Sequence, residues 1–435
     1  MLSIGLMSGT SMDGIDAALL NTDGKTAITE LGNVFLPYSP ELKILFKAIE
    51  YAARLAMGNL ELAAQNFPAT LVEHLKNSLG LPDVLIASKV KELASYFHQQ
   101  QNPAVTFSQI VLRSTELHAE AVQQLLKKTG FTASEIDVIG YHGQTLLHKP
   151  ANKISLQVGD GKLLAELTGI TTVNDFRSRD IAFGGQGAPF APLYHQALAV
   201  RDKKIPTAVI NCGGIANITF ITGEDPLSVV GFDTGPGNGL IDQCVRQATH
   251  GLEYMDFNGQ YGLQGKVHNE MIAALYQHAV MLMSDNYFTR RPPKSLDIGD
   301  LYFLPKLHEL SLPDACRTLA AFTADSIVEA LHVFNKIIPK YIVLAGGGWN
   351  NPVIRFELET RLKRKIPDKI AIMTADEMGW NSQAMEAQVF AYLAVRSLLN
   401  LPISMPAITA VSQPLSGGIM HLSPFGPTEA VAKIL

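Results

Sequence analysis

The sequence predicts an α/β fold built as two similar halves, and two observations support this. Short apolar segments typical of strands alternate along the chain with segments of helical periodicity, a succession typical of α/β proteins. In addition, an apolar strand, a glycine-rich polar turn and a second apolar strand occur near the N-terminus and again at mid-chain. We therefore expect a first half over residues 1–205, rejoined by about 400–435, and a second half over 206–399. The charged segment 201–206, which ends in Pro206, is the expected boundary.

The first half is predicted to open with a β-hairpin. Residues 4–7 are apolar, 8–14 are mostly small and polar, and 15–20 are mostly apolar again, which is the pattern of two strands joined by a turn. Further along, Gly130 and Gly169 stand where helix C-caps belong. The later elements expected in this half are, in order, a mostly helical stretch, a helix over 107–128, a strand over 138–141, a helix over 162–167 and a strand over 171–173.

The second half repeats that opening. A strand over 207–210 leads into a glycine-rich turn over 211–217, and a strand over 218–220 follows. The later elements expected here are, in order, a strand over 341–344, a third glycine-rich turn over 345–350, a helix beginning near Pro352, and an apolar helix over 382–398 that crosses back to the first half.

Composition argues against several classes of function. The chain has 435 residues and a net charge of -5, so no basic field would recruit nucleic acid. Cys212, Cys244 and Cys316 form no C-x-x-C pair, which argues against a disulfide framework or a zinc site and fits a reducing cytoplasm. The first basic residue is Lys25, and no apolar run reaches the roughly 18 residues of a membrane span. We therefore expect a cytoplasmic protein without a signal peptide or membrane span.

The three glycine-rich turns allow two interpretations. Glycine lets several backbone N–H groups converge on one point, and such nests bind phosphate. A tight structural hairpin has the same composition. The sequence contains no G-x-x-x-x-G-K-[ST] P-loop, and the turn over 235–239 lacks the spacing of a dinucleotide site. Three such turns in a repeated frame favour nucleotide binding over the structural alternative.

Seven segments together carry a resemblance to a known family. They are 9–16 (GTSMDGID), 140–145 (GYHGQT), 175–177 (DFR), 184–189 (GGQGAP), 211–217 (NCGGIAN), 231–238 (GFDTGPGN) and 345–348 (AGGG). In this order, over nearly the whole chain, they resemble the anhydro-N-acetylmuramic acid kinases, which belong to the superfamily of sugar kinases, heat-shock protein 70 and actin. The resemblance implies two ribonuclease-H-like/actin-like domains around an ATP cleft, hinge closure on ligands, and a homodimer.

The resemblance also implies a reaction. Members of the family convert 1,6-anhydro-N-acetylmuramate, ATP and water into N-acetylmuramate 6-phosphate and ADP, in peptidoglycan recycling. Asp233 matches the family's catalytic aspartate, which would deprotonate the attacking water. From the residues alone, an aspartate that stabilises its own turn is an equal alternative.

The same resemblance implies residues for ATP and Mg²⁺. Asp13 or Asp16 would hold Mg²⁺ through water, with capping of the first hairpin as the alternative. The residues expected at the phosphates are Gly9, Thr10, Ser11, Met12, Asp13, Gly14, Ile15 and Asp16 from the first half and Asn211, Gly213 and Gly214 from the second. The residues expected beside adenosine are Gly346, Gly347 and Gly348.

For the sugar, the candidates are Gln144, Thr145, Asp175, Arg177 and Glu386. The Arg177 guanidinium would pair with the lactyl carboxylate, and a structural arrangement of Asp175 with Arg177 is the alternative. Glu386 lies on an apolar helix, where a charge is often only the exposed face. His142 is expected to be structural, with a general-acid role as the alternative.

One segment departs from the family. Residues 293–295 (PKS) match, but the usual Thr-Gly-Arg-Glu continuation is replaced by 296–299 (LDIG), which puts contacts from those positions in doubt. The surrounding stretch 285–300 is either a flap near the cleft or a fixed surface loop. Two other functions stay open: a conventional sugar kinase acting on a free hydroxyl, and a non-catalytic actin-like ATP-binding protein.

Overall fold

A computed structural model describes residues 1–9, 12–97, 105–282, 287–296, 305–332, 337–366 and 369–435. Within these residues the strands are β1 Leu2–Ser8, β2 Gly14–Thr22, β3 Ile28–Pro37, β4 Val138–Lys149, β5 Ile154–Val158, β6 Thr172–Asn174, β7 Thr207–Cys212, β8 Ile215–Ile221, β9 Val229–Pro236, β10 Tyr341–Ala345, β11 Ala371–Thr374 and β12 Ile419–His421.

The α-helices complete the α/β composition that the sequence predicts. They are α1 Pro40–Leu55, α2 Leu60–Asn77, α3 Asp83–Ser95, α4 Phe107–Thr129, α5 Gly161–Thr168, α6 Ser178–Ala182, α7 Ala191–Arg201, α8 Gly239–Ala248, α9 Asn269–Leu282, α10 Leu312–His332, α11 Pro352–Lys365, α12 Met385–Leu398, α13 Pro406–Thr409 and α14 Glu429–Ala432. Among the described residues, none of the helices is both long and apolar enough to cross a membrane.

Packing divides the chain into two compact units. The first unit contains Met1–Tyr194 and Gln383–Leu435, and the second contains His195–Ser382. The chain therefore changes unit within α7, ahead of the expected boundary at 205, and returns to the first unit at Gln383 and not near 400. This earlier return agrees with the expectation that the helix over 382–398 crosses back, because α12 packs against β1, β2 and β4.

The sheet of the first unit begins with the predicted hairpin. Strands β1, β2 and β3 are consecutive and antiparallel, and β4 and then β6 add in parallel on the other side of β1. At one edge β12 pairs with β6, and β5 pairs with residues 144–149 of β4. The helical predictions for this unit are confirmed, since α4 ends at Gly130 and α5 at Gly169, both of them in the left-handed conformation that favours glycine.

The sheet of the second unit has the same strand order and directions as five strands of the first, β6, β4, β1, β2 and β3. Strands β7, β8 and β9 are consecutive and antiparallel, and β10 and then β11 add in parallel beside β7. The duplication expected from the two strand–turn–strand patterns is therefore present in the sheets. The helix predicted near Pro352 also begins there, with the Asn351 side chain accepting a hydrogen bond from Val353 N–H.

Helix α12 lies against the first sheet with no side chain between the two backbones at two points. Gly5 and Gly140 are register partners at the centre of the β1–β4 pair. A Cβ atom on Gly5 would lie 1.8 Å from the carbonyl oxygen of Ala387, and one on Gly140 would lie 2.0 Å from that of Phe390. Because only glycine allows this approach, these two residues fix the position of α12 and of Glu386 in its first turn.

Adding a methyl group at this contact is expected to destabilise the protein. Gly5→Ala or Gly140→Ala should lower the free energy of unfolding by about 3 kcal/mol or more, because a backbone carbonyl cannot move aside as a side chain can. Thermal and denaturant unfolding of the full chain measure this. The control is Gly130→Ala, where no described atom lies within 4 Å of the new methyl group and the left-handed backbone costs about 1 kcal/mol. Equal losses in the control and the two test variants would contradict the close contact.

Candidate active site

Asp233 lies near the end of β9, where the pairing with β8 shifts between Ala216 and Asn217. Its carboxyl Oδ2 accepts a hydrogen bond of 2.8 Å from the N–H of Leu296. Its own N–H donates to the carbonyl of Lys294 at 3.1 Å, and its carbonyl accepts a 2.6 Å bond from the Tyr287 hydroxyl. The carboxylate is therefore held by the segment 287–296 and not by its own glycine turn.

The surroundings of Asp233 change its acidity. Burial raises the pKa of this carboxyl group to about 6, while the Leu296 N–H and the positive charge of Lys294 act in the opposite direction. A general base works best when its pKa lies near the operating pH, because it is then both ionised and basic enough to accept a proton. A pKa of about 6 lies near the operating pH, as proton abstraction requires.

The two glycine turns of the second unit next to Asp233 contact each other through their backbones. The carbonyl of Gly213 accepts a hydrogen bond from Asn238 N–H, and that of Gly214 accepts from Gly237 and Gly239 N–H. A Cβ atom on Gly237 would lie 2.0 Å from the Gly213 carbonyl oxygen. Gly237 is thus required by packing, whereas a Cβ atom on Gly213 would have its nearest described neighbour 3.7 Å away.

In the third glycine turn, the three glycines differ in whether the fold leaves space for a side chain. Cβ atoms on Gly346 and Gly348 would lie 2.6 and 2.5 Å from atoms of Asn211 and Cys212, respectively. At Gly347, by contrast, none of the described atoms lies within 4 Å of such a Cβ, and the residue is exposed. Gly347 is therefore the residue of this turn whose missing side chain a ligand, and not the fold, would explain.

The first turn belongs to the first unit, and several of its residues are held by packing. The Gly9 carbonyl accepts hydrogen bonds from Met12 N–H and from the Gln144 side chain. Met12 and Ile15 have side chains in the core, and a Cβ on Gly14 would lie 2.5 Å from the Leu36 carbonyl oxygen. Thr10 and Ser11, expected at the phosphates, lie outside the described residues.

Three carboxyl groups of the first unit influence one another. Burial raises the pKa of Asp16 to about 6, with further contributions from the negative charges of Asp13 and Glu386. At Glu386, desolvation raises the pKa of the carboxyl group, the positive charge of Arg177 lowers it, and the negative charge of Asp13 raises it further. Binding of a cation would relieve this repulsion. Among the described residues, however, no group of three metal-ligating side chains is close enough to coordinate an ion directly.

The side chain of Arg177 is held by hydrogen bonds, and these bonds also explain the role of His142. The guanidinium donates to the Gly187 carbonyl at 2.7 Å and to Nε2 of His142 at 2.9 and 3.2 Å. Nδ1 of His142 lies 2.8 Å from the Gly143 carbonyl and therefore carries the proton. Burial, followed by the Arg177 charge, holds the pKa of His142 well below its usual value. His142 is thus a neutral histidine that orients Arg177, as the structural interpretation expects.

The other candidate sugar residues are in different environments. The Gln144 side chain is fully buried and its amide nitrogen bonds the Gly9 carbonyl, so it connects β4 to the first turn. Thr145 is partly exposed beside Gln157. Asp175 accepts from Ser178 N–H and lines a cavity of about 490 Å³ with His142. The alternative is a structural arrangement of Asp175 with Arg177. Among the described residues, the side-chain bonds of Arg177 go to His142 and Gly187 and that of Asp175 comes from Ser178.

Sequence reasoning missed the neighbours of Asp233. Tyr287 and Lys294 are 1% and 3% exposed, although they lie in a mixed-charge, proline-containing stretch typical of surface loops. Within the stretch 285–300, residues 287–296 contact β9 at Asp233. Residues 285–286 and 297–300 lie outside the described residues.

Comparison with known proteins identifies the family. The family model "Anhydro-N-acetylmuramic acid kinase" matches residues 1–79 and 71–422. Anhydro-N-acetylmuramic acid kinases of Rhizorhabdus wittichii and Zymomonas mobilis are both 38% identical to this chain, cover 97% of it, and are covered over 99% and 100% of their own lengths.

The chain belongs to the anhydro-N-acetylmuramic acid kinase family. It is an enzyme, and its activity is that of a kinase. Among solved structures, component A of the (R)-2-hydroxyglutaryl-CoA dehydratase of Acidaminococcus fermentans is 10% identical, with a TM-score of 0.41, over 91% of this chain and 98% of that one. That likeness bears on neither activity nor substrate.

The contrast between Gly347 and Gly348 can be tested. Gly347→Ala should leave the free energy of unfolding within about 0.5 kcal/mol of the original but raise the KM for ATP, if adenosine lies against this residue. Gly348→Ala should cost about 1–3 kcal/mol, because the new methyl group would overlap Cys212. Unfolding curves and steady-state kinetics on both variants separate these effects. An unchanged KM for ATP in Gly347→Ala would remove adenosine from this position.

Proposed function

We propose that this enzyme uses ATP and water to convert 1,6-anhydro-N-acetylmuramate into N-acetylmuramate 6-phosphate and ADP, in cytoplasmic peptidoglycan recycling. Membership of the kinase family supports the reaction class. The observation that carries the proposal is Asp233, a carboxylate with a pKa of about 6 that a hydrogen bond to Leu296 N–H holds in place.

In the proposed reaction, Asp233 removes a proton from a water molecule facing the anomeric carbon. The water oxygen bonds to that carbon while the bond from the carbon to the bridging oxygen breaks, through a state with oxocarbenium character. The released oxygen, O6, attacks the γ-phosphorus, and the bond between that phosphorus and the β–γ bridging oxygen breaks. ADP leaves, and the proton held by Asp233 returns to solvent.

Catalysis of the phosphoryl transfer is mainly electrostatic positioning. In this proposal the backbone of the first turn and the turn at Asn211, Gly213 and Gly214 face the phosphates, with adenosine against Gly347. Mg²⁺, held through water by Asp13 or Asp16, would neutralise charge on the phosphate oxygens. The enzyme would act as a homodimer, as the family resemblance implies.

For the sugar, the arrangement of Arg177 supports recognition of the lactyl carboxylate. His142 and the Gly187 carbonyl hold its guanidinium in one orientation, and burial lowers the pKa of Arg177 only to about 10, so the group stays charged at neutral pH. Glu386, Thr145 and Asp175 remain proposed sugar ligands. Gln144, which is buried, would act through the first turn.

Isotope labelling tests the proposed reaction against transfer to a free hydroxyl. In ¹⁸O-water, mass spectrometry should find one solvent oxygen at the anomeric carbon of the sugar 6-phosphate, and Asp233→Asn should lower the rate by about 10²–10⁴-fold because the base is lost. The control is Asp225→Asn, an exposed aspartate in the same unit.

Three outcomes would contradict the proposal. Product without label at that carbon would point to a conventional sugar kinase. Absence of any ATP-dependent product in the original enzyme would point to a non-catalytic ATP-binding protein. Unchanged turnover in Asp233→Asn would exclude Asp233 as the base.

A further inference from the structure

The segment 287–296 contacts Asp233 at three points. The Tyr287 hydroxyl bonds the Asp233 carbonyl, the Lys294 carbonyl accepts from the Asp233 N–H, and the Leu296 N–H donates to the carboxylate. Tyr287 and Lys294 are seven residues apart in sequence. The two ends of the segment must therefore stay close together for all three bonds to persist. A backbone donor on the carboxylate favours its ionised form.

The side chain of Lys294 holds these ends together. Its ammonium group donates to the carbonyls of Tyr287 and Phe288, at 2.9 and 3.3 Å. It also lies 4.6 Å from the ring centre of Tyr287 and 5.4 Å from that of Phe232, the residue before Asp233. Aromatic faces attract a cation at such distances. One buried ammonium group thus links both ends of the segment to β9.

We propose that Lys294 is a positioning residue for Asp233: its ammonium group closes the segment 287–296 and so holds the Leu296 N–H on the carboxylate while supplying a nearby positive charge. This role rests on the proposed function of Asp233 as the base. Lys294 touches neither substrate in this scheme and acts through Asp233.

Two carbonyls and two aromatic rings offset the cost of burying the ammonium group. These contacts alone do not separate a structural lysine from a positioning one. The effect of its charge on Asp233 does. Asp233 is the negative group that the ammonium group influences, and the interaction is reciprocal, since Asp233 raises the pKa of Lys294.

The other charged groups around this pair set the direction of the pH effects. Burial, followed by the positive charge of Arg290, lowers the pKa of Lys294 to about 8. Lys294 is thus charged across the range in which Asp233 ionises, near pH 6. Removing its charge should raise the pKa of Asp233, so that the base is protonated, and inactive, up to a higher pH.

The test compares three lysine variants of the full-length enzyme by the pH dependence of kcat/KM and by ¹³C NMR of labelled aspartate, with Asp233→Asn to assign the signal. Lys294→Met should move the acid limb and the Asp233 pKa upward by about one unit, and lower kcat more than it changes KM. Lys294→Arg, which keeps the charge, should leave the limb near its original position. Lys204→Met is the matched control, since Lys204 also lies over an aromatic ring of the second unit, that of Tyr341.

A measurement on the unaltered enzyme keeps the test independent of how the variants fold. The Asp233 signal should show a second inflection near pH 8, as Lys294 loses its proton. If the Asp233 pKa is the same in folded Lys294→Met as in the original, or if this inflection is missing, Lys294 does not act on Asp233 and the inference is wrong. Full activity in Asp233→Asn would instead overturn the proposed base, and the NMR titration distinguishes that failure from the first.

Discussion

Within each unit, two backbone segments lie closer together than they could if a side chain stood between them. In the first unit, Gly5 and Gly140 let α12 rest directly on the sheet. In the second, Gly237 lies against the Gly213 carbonyl. In the first unit this constraint places Glu386 beside Asp16 and Arg177. In the second it places the turn that follows Asp233 against the turn at Gly213. The functional groups are thus positioned by residues that have no side chain.

The same constraint changes the meaning of the glycine-rich motifs. A glycine is informative about a ligand only where the protein itself leaves space for a Cβ atom, as at Gly347, or nearly so, as at Gly213, where the nearest described atom would be 3.7 Å away. Gly14, Gly346 and Gly348 are needed by packing whether or not a nucleotide binds. A motif that contains both kinds of glycine serves folding and ligand binding together.

Local patterns predicted much of the fold. The hairpin of β1 and β2, helix α4 with its Gly130 cap, and the repeated strand–turn–strand pattern depend on neighbours in sequence, and the structure confirms them. The unit boundaries were harder to predict from the sequence, because they depend on which sheet α7 and α12 pack against. The resemblance supplied Asp233 as a candidate, but nothing local predicts that its carboxylate bonds Leu296, 63 residues away. Lys294 is the clearest miss, because its burial results from carbonyls and rings that only the folded chain brings together.

The proposed reaction depends on Asp233 as the base, and partial burial raises the pKa of its carboxyl group toward the operating pH. The most direct measurement is a crystal structure of the enzyme with 1,6-anhydro-N-acetylmuramate and a non-hydrolysable ATP analogue. We expect a water molecule within about 2.6–3.2 Å of the Asp233 carboxylate, on the face of the anomeric carbon opposite the bridging oxygen. A carboxylate directed away from the sugar, with another side chain contacting that water, would contradict the account.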